Sequence, residues 1–131
     1  MSLLTEKLTQ SERLCSRKAI GRLFSGGNEL FHYPFRLLWM YDESRSRYPV
    51  QVAIAVPRKR FKKAVSRNRI RRLIREAYRR NKNILYSSSL VERGNVDMMI
   101  IYVSSRMYDY NYIKLRLEEV LKKLGSGNEA H

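Results

Sequence analysis

The stretch from Ser66 to Arg80 constrains this chain more than any other. Ile70, Leu73, Ile74, Ala77 and Tyr78 recur at i, i+3, i+4, i+7 and i+8, the spacing of one buried helix face. Arg67, Arg69, Arg71, Arg72, Arg75, Arg79 and Arg80 fill the positions between them. At about 100° per residue, Asn68, Arg71, Arg72, Arg75 and Arg79 share a quadrant beside the apolar stripe. The segment must therefore bury one side in a core and hold a dense positive face outside it. Ser66 is the expected N-cap, with Val65 and Ile70 at the spacing of a hydrophobic staple.

Such a face opposes its own helix. Arg67, Arg71, Arg75 and Arg79 form an i, i+4 series of like charges, each pair destabilising by roughly 0.2–0.5 kcal/mol. Arg67, Arg69 and Arg71 also stand at the positive end of the helix dipole, where acids are favoured by about 0.3–1 kcal/mol. Only Glu76 relieves the charge locally. A merely solvated surface would mix signs, because alternation gives the same solubility with local stabilisation. A one-sided departure from that rule marks function. Arginine binds phosphate through a planar fork and stacks on bases, so the partner expected is a polyanion. Arg58, Lys59, Arg60, Lys62 and Lys63 carry the basic surface upstream of the helix.

The whole chain has the same bias, with 27 Lys+Arg against 12 Asp+Glu and a formal net charge of +15. Each phosphate neutralised by such a surface releases counterions, which favours nucleic acid as the partner. The 131 residues, 44% of them hydrophobic, suffice for one core. The expected division is a flexible arm over 1–12, one nucleic-acid-binding domain over 13–124 and a flexible tail over 125–131. No stretch approaches the roughly 18 apolar residues of a membrane span. Met1 to Gln10 lacks a signal-peptide core. A single cysteine, Cys15, fits a reducing compartment and is expected as a small packed residue, so the expected location is cytoplasmic.

Around the arginine helix the other elements are legible. Ser16 is placed to cap a helix over Arg17 to Ser25, with Ile20, Leu23 and Phe24 on one face and Gly26-Gly27 ending it. A short strand is expected before Pro34 and a longer one from Phe35 to Tyr41. Asp42 to Pro49 reads as a turn. Val50 to Val56 reads as a strand with β-branched residues on one face and small Ala53 and Ala55 on the other. A polar link follows the arginine helix, then a strand over Met98 to Val103. Asp109 precedes a last helix carrying Ile113, Leu117, Val120, Leu121 and Leu124, ended by Gly125. The order predicts a mixed α+β sandwich rather than a repeating βαβ array.

Catalytic groups are sparse. His32 lies in an aromatic strand segment and His131 is the last residue, a poor basis for an acid–base pair. Asp42-Glu43 and Glu118-Glu119 suit surface pairing better than the converging carboxylates of a metal nuclease. Gly26-Gly27 lacks a phosphate-loop pattern. Tyr108, Tyr110 and Tyr112 are expected to pack on the sheet more than to stack on bases. Neither a catalytic residue nor a metal ligand is assigned to this chain.

The segment Lys63-Ala64-Val65-Ser66-Arg67-Asn68-Arg69-Ile70-Arg71-Arg72-Leu73-Ile74-Arg75-Glu76 resembles the RNR signature of the bacterial ribonuclease P protein family. Ser11-Glu12-Arg13-Leu14, the Val52 to Lys59 approach, and Asp97 to Val103 followed by Tyr112 to Leu124 are similar to other parts of that family. The likeness spans roughly Arg13 to Leu124. It implies an α/β sandwich of order α-β-β-β-α-β-α, with a mixed sheet and a left-handed βαβ crossover, shared with a ribosomal-protein domain. It further implies a subunit that assists endonucleolytic removal of the 5′ leader from precursor tRNA, with the RNA subunit performing the magnesium-dependent hydrolysis.

By that resemblance Arg67, Asn68, Arg69, Arg71, Arg72 and Arg75 contact the catalytic RNA, together with Arg79 and the approach Arg58, Lys59, Arg60, Lys62 and Lys63. Arg13, Arg17, Ile20, Phe24, Arg36 and Leu38 would form a cleft for the single-stranded leader. Ile20 stands where an aromatic is more usual in the family, and Leu38 where tyrosine is common. Trp39 should face the opposite side of the sheet. Magnesium would be bound by the RNA, in a 1:1 protein–RNA particle without a membrane or further protein partner. Two rivals share the charge: a structural component binding ribosomal RNA, and a DNA-binding regulator. The second has few base-reading side chains besides Asn68.

Overall fold

Ser16 opens the first helix by accepting the Ala19 N–H at 3.1 Å, and the chain then runs α1 (Arg17–Gly26), β1 (Asn28–His32), β2 (Phe35–Asp42), β3 (Val50–Ala55), α2 (Ala64–Asn81), α3 (Asn83–Tyr86), a tight helical turn (Ser89–Arg93), β4 (Asn95–Tyr102) and α4 (Tyr110–Gly125). This computed structural model describes residues 12–42 and 49–126. The expected arm and tail fall outside the described residues except at their inner ends, as does most of the expected 42–49 turn. Asp42 itself is the last residue of β2.

The four strands form one sheet in the order β1-β2-β4-β3. β1, β2 and β4 are antiparallel neighbours, while β3 runs parallel to β4, with α2 in the connection between them. Alternation then divides the side chains. Phe35, Leu37 and Trp39 of β2, Val50 and Val52 of β3, and Val96, Met98, Ile100 and Tyr102 of β4 face a large core. Ile70, Ile74, Ala77 and Tyr78 of α2, with Ile113, Leu117, Val120, Leu121 and Leu124 of α4, close it from above. The smaller core on the other face joins Leu14, Ala19, Leu23, Leu38, Met99 and Ile101 under α1. Trp39 and Leu38 thus lie on opposite faces, as strand alternation requires.

The start of α2 departs from expectation. The Lys63 carbonyl accepts the Ser66 and Arg67 N–H groups at 3.2 and 3.3 Å, so the helix begins at Ala64 and Ser66 is inside it. Val65 is 72% exposed and staples nothing. Phe61 anchors the approach instead, its ring centroid 6.1 Å from that of Tyr102. The end of α1 also differs in cause. Gly27 is extended, with φ −76°, rather than left-handed. What it supplies is space, because a Cβ there would lie 2.7 Å from the Leu23 carbonyl oxygen.

Two further corrections follow from burial. Glu12, expected in the loose arm, is fully buried. Cys15, expected as packed, is exposed. Both follow from the edge of β3: Arg13 bridges Val52 in parallel, and the Leu14 N–H donates to the Val52 carbonyl at 2.8 Å. Docking Leu14 inward turns Cys15 outward.

Candidate nucleic-acid interface

The buried stripe of α2 fixes which arginines face solvent. Asn68, Arg69, Arg72 and Arg80 are exposed, whereas Arg67, Arg71, Arg75 and Arg79 lie half-buried along the margins. Several are already engaged. Arg67 Nη1 donates to the carbonyls of Phe61 and Lys62 at 2.8 and 2.9 Å, which braces the turn into the helix. Arg71 donates to Asn68 Oδ1 at 2.6 Å. Glu76 accepts from both Arg79 and Arg80, and these bonds hold its carboxyl down at about 2. Arg69, Arg72 and Arg75 have no carboxylate partner among the described residues. Arg58, Lys59, Lys62 and Lys63 are exposed on the same approach.

Arg75 holds its proton less firmly than an ordinary arginine, because burial desolvates it and Arg13, Arg71 and Arg72 add like charge. Its position beside Arg13 joins the helix to the other face of the sheet. There a groove runs beside α1 along β3. One end is a hollow of about 320 Å³ lined by Arg13, Cys15, Ile20, Ala53, Arg75 and Met99 among others. The next is a hollow of about 290 Å³ lined by Phe24, Arg36, Ala55, Pro57, Lys59, Arg60, Ile101 and Val103. Ala53 and Ala55 leave the floor open, which is what their small size permits.

Of the residues expected in a leader cleft, Arg13, Ile20, Phe24 and Arg36 line this groove. Leu38 is 2% exposed and serves as packing beneath α1 rather than as wall. Arg17 is exposed but lines neither hollow. Lys59 and Arg60, grouped by sequence with the helix, lie in the groove wall. Met99, Ile101 and Val103 of the floor carried no signal in sequence beyond an apolar strand.

The acids have ordinary partners. His32 Nε2 is 2.8 Å from Glu119 Oε1, which also takes Arg116 at 3.0 Å. Glu118 pairs with Lys114 at 3.1 Å. Among the described residues no three His, Cys, Asp or Glu side chains converge to hold a metal. No helix among them is long and apolar enough to cross a membrane.

Residues 8–125 match the sequence profile of the family described as Ribonuclease P. A relative from Porphyromonas gingivalis, the "Ribonuclease P protein component", is 33% identical over 122 residues, covering 92% of this chain and 88% of its own. The chain belongs to the ribonuclease P protein family. Among solved structures, the ribonuclease P protein of Thermotoga maritima is similar with a TM-score of 0.66 at 26% identity, covering 86% of this chain and 96% of that one. That of Staphylococcus aureus shares the fold, with a TM-score of 0.69 at 23% identity, over 86% and 94% of the two chains. As in other members of the ribonuclease P family, the role of this chain lies in tRNA processing.

Proposed function

We propose that this chain is the protein subunit of a ribonuclease P particle and assists endonucleolytic removal of 5′ leaders from precursor tRNA in the cytoplasm. The observation that carries the reading is the continuity of two surfaces through Arg13 and Arg75. The exposed arginines of α2 would lie against the catalytic RNA, and the groove beside α1 would hold the single-stranded leader. Two RNAs meeting across one cationic edge repel each other less, since each neutralised phosphate releases its counterions. The groove suits a single strand because its wall combines Lys59, Arg60 and Arg36 with apolar surface, the mixture that tracks a backbone while accepting base faces.

Hydrolysis in this reading belongs to the RNA and its magnesium ions. Among the described residues, Glu12, Glu29, Glu76, Glu118 and Glu119 pair with Lys82, Arg36, Arg79 and Arg80, Lys114, and Arg116, which suits structure rather than metal binding. The chain would pair with the RNA one to one. The test is precursor-tRNA cleavage by a bacterial ribonuclease P RNA at low magnesium, with and without the chain. Strong stimulation, weakened by Arg69→Ala with Arg72→Ala, is expected. Tight RNA binding without stimulation would instead indicate a structural RNA-binding role.

A further inference from the structure

Phe31 and Arg36 face each other across β1 and β2, and directly opposed residues of antiparallel strands project from the same side. That side is the α1 face, because Leu30 packs on the large core and His32 reaches Glu119 on the other. Phe31 is 59% exposed, and Phe24, near the end of α1, is 57% exposed. Arg36 stands beside both: it opposes Phe31 and lines the groove with Phe24. Glu29 holds the Arg36 guanidinium at 2.9 Å, which fixes it on this surface. Lys59 and Arg60, in the same wall, have no carboxylate partner among the described residues.

Apart from Phe24 the groove offers little for a base to stack on. Its floor and inner wall are Ile20, Ala53, Ala55, Met99 and Ile101, none of them aromatic. Leaving a phenylalanine in water forgoes about 1.5–3 kcal/mol of burial, and on an edge strand it also invites pairing with other chains. Two such rings on one face, each beside the same arginine, are not scattered surface residues.

We propose that Phe31 is a base-stacking residue for single-stranded RNA, and that with Phe24 it forms a platform where the leader leaves the groove over the β1 edge. This rests on the leader reading above. Lys59 and Arg60 hold the backbone at the groove, and the strand crosses outward over β2 and β1 so that bases meet Phe24 and then Phe31. Aromatic stacking tolerates any base, so the platform recognises strandedness and length rather than sequence.

The test uses the reconstituted holoenzyme with two precursor tRNAs, one with a long leader and one cut to a single leader nucleotide. Phe31→Ala is expected to weaken binding of the long-leader substrate roughly tenfold, the scale of one lost stacking contact. The short-leader substrate is expected to bind as tightly as before, and Phe31→Trp to retain the preference for a long leader. Leu115→Ala, which removes an equally exposed apolar residue from α4, should alter neither. Equal weakening of both substrates, or none, overturns the Phe31 assignment. Absence of any long-leader preference in the unaltered protein overturns the leader reading with it. If sedimentation shows that Phe31→Ala breaks a dimer while leader affinity is unchanged, the exposed ring serves contact between copies and the proposal fails.

Discussion

Lys82 holds its ammonium nitrogen 2.7 Å from Glu12 Oε2, and neither side chain reaches solvent. The Tyr86 hydroxyl donates to the same carboxylate oxygen, and the Lys82 ammonium lies 5.5 Å from the Tyr86 ring centroid. Lys82 caps the C-terminus of α2, while Glu12 precedes the segment that pairs with β3. The ion pair therefore fastens the edge of the groove to the end of the basic helix. Removing one partner strands a buried charge, so Glu12→Gln should cost about 3–5 kcal/mol in denaturant unfolding. Replacing both, as Glu12→Gln with Lys82→Met, should recover much of that loss. A cost below about 1 kcal/mol for the single change would mean that the pair does not couple the two elements.

The arginines of α2 should separate into two classes when replaced singly. Arg72→Ala removes an exposed charge with no ion-pair or hydrogen-bond partner among the described residues, so it should leave unfolding unchanged. It should lower the slope of log affinity against log salt by about 0.7–0.9, the share of one phosphate contact. Arg67→Ala removes two hydrogen bonds to the carbonyls of Phe61 and Lys62. Its main effect should be a stability loss of about 1–3 kcal/mol. Thermal unfolding and a salt titration of RNA binding on the same two variants distinguish these outcomes. Equal salt slopes would contradict the division.

That division was not legible in the sequence, whereas the helix itself was. Periodicity places Ile70, Leu73, Ile74, Ala77 and Tyr78 inward because a buried face repeats every turn; the structure buries four of them and leaves Leu73 partly buried against the same core. Periodicity is silent on which guanidinium turns back to a carbonyl, since that depends on the path of Phe61 and Lys62. The same limit explains Leu38, correctly placed on the α1 face but closed off by a helix whose docking no local pattern encodes. Glu12 and Lys82 are 70 residues apart. Neither shows from its neighbours that it is buried. The link expected to be merely polar contains Leu85, Tyr86 and Leu90, all buried, and their spacing was too short to read as α3 and a helical turn.

Tyr108, Tyr110 and Tyr112, around the start of α4, were expected to pack on the sheet; Tyr108 and Tyr110 pack against the large core, whereas Tyr112 stacks on Tyr108. Tyr108 and Tyr112 stack with centroids 4.0 Å apart and planes at 24°. Arg106 lies 5.3 Å from the first ring and Arg116 5.8 Å from the second. Arg116 is itself fixed by the Tyr33 carbonyl at 2.9 Å. With both outer faces covered by guanidinium groups, the rings have little room for a base. Tyr112→Ala should therefore lower stability by about 0.5–1.5 kcal/mol beyond the lost area. Leader affinity should not move, and a selective loss of RNA binding would show that the stack opens.

Asp97 carries the clearest pH dependence in the domain. It lies on the α1 face of β4, 2% exposed, and its Oδ2 has no hydrogen-bond partner among the described residues. Burial pushes its carboxyl up to about 7, and the hydrogen bond and charge of Asp42 push in the same direction. Arg22 of α1, 3.8 Å from Asp42, opposes them only weakly. The folded state thus binds the proton more tightly than the unfolded chain, whose aspartate titrates near 3.8. The stabilisation from this proton is complete below about pH 4 and is lost as pH rises through about 7, with a total on the order of a few kcal/mol. Glu76 works in the opposite sense, with stability lost as pH falls from the usual glutamate range toward about 2. Its window lies lower, so the two effects separate. Asp97→Asn keeps the shape and abolishes the upper titration. Its melting temperature should stay level between pH 5 and 8 while that of the unaltered protein falls by roughly 5 °C or more. Because α1 forms one wall of the groove, leader affinity should fall over the same interval in the unaltered protein and stay level in Asp97→Asn. Parallel melting curves for the two proteins across that range would rule out the shared proton.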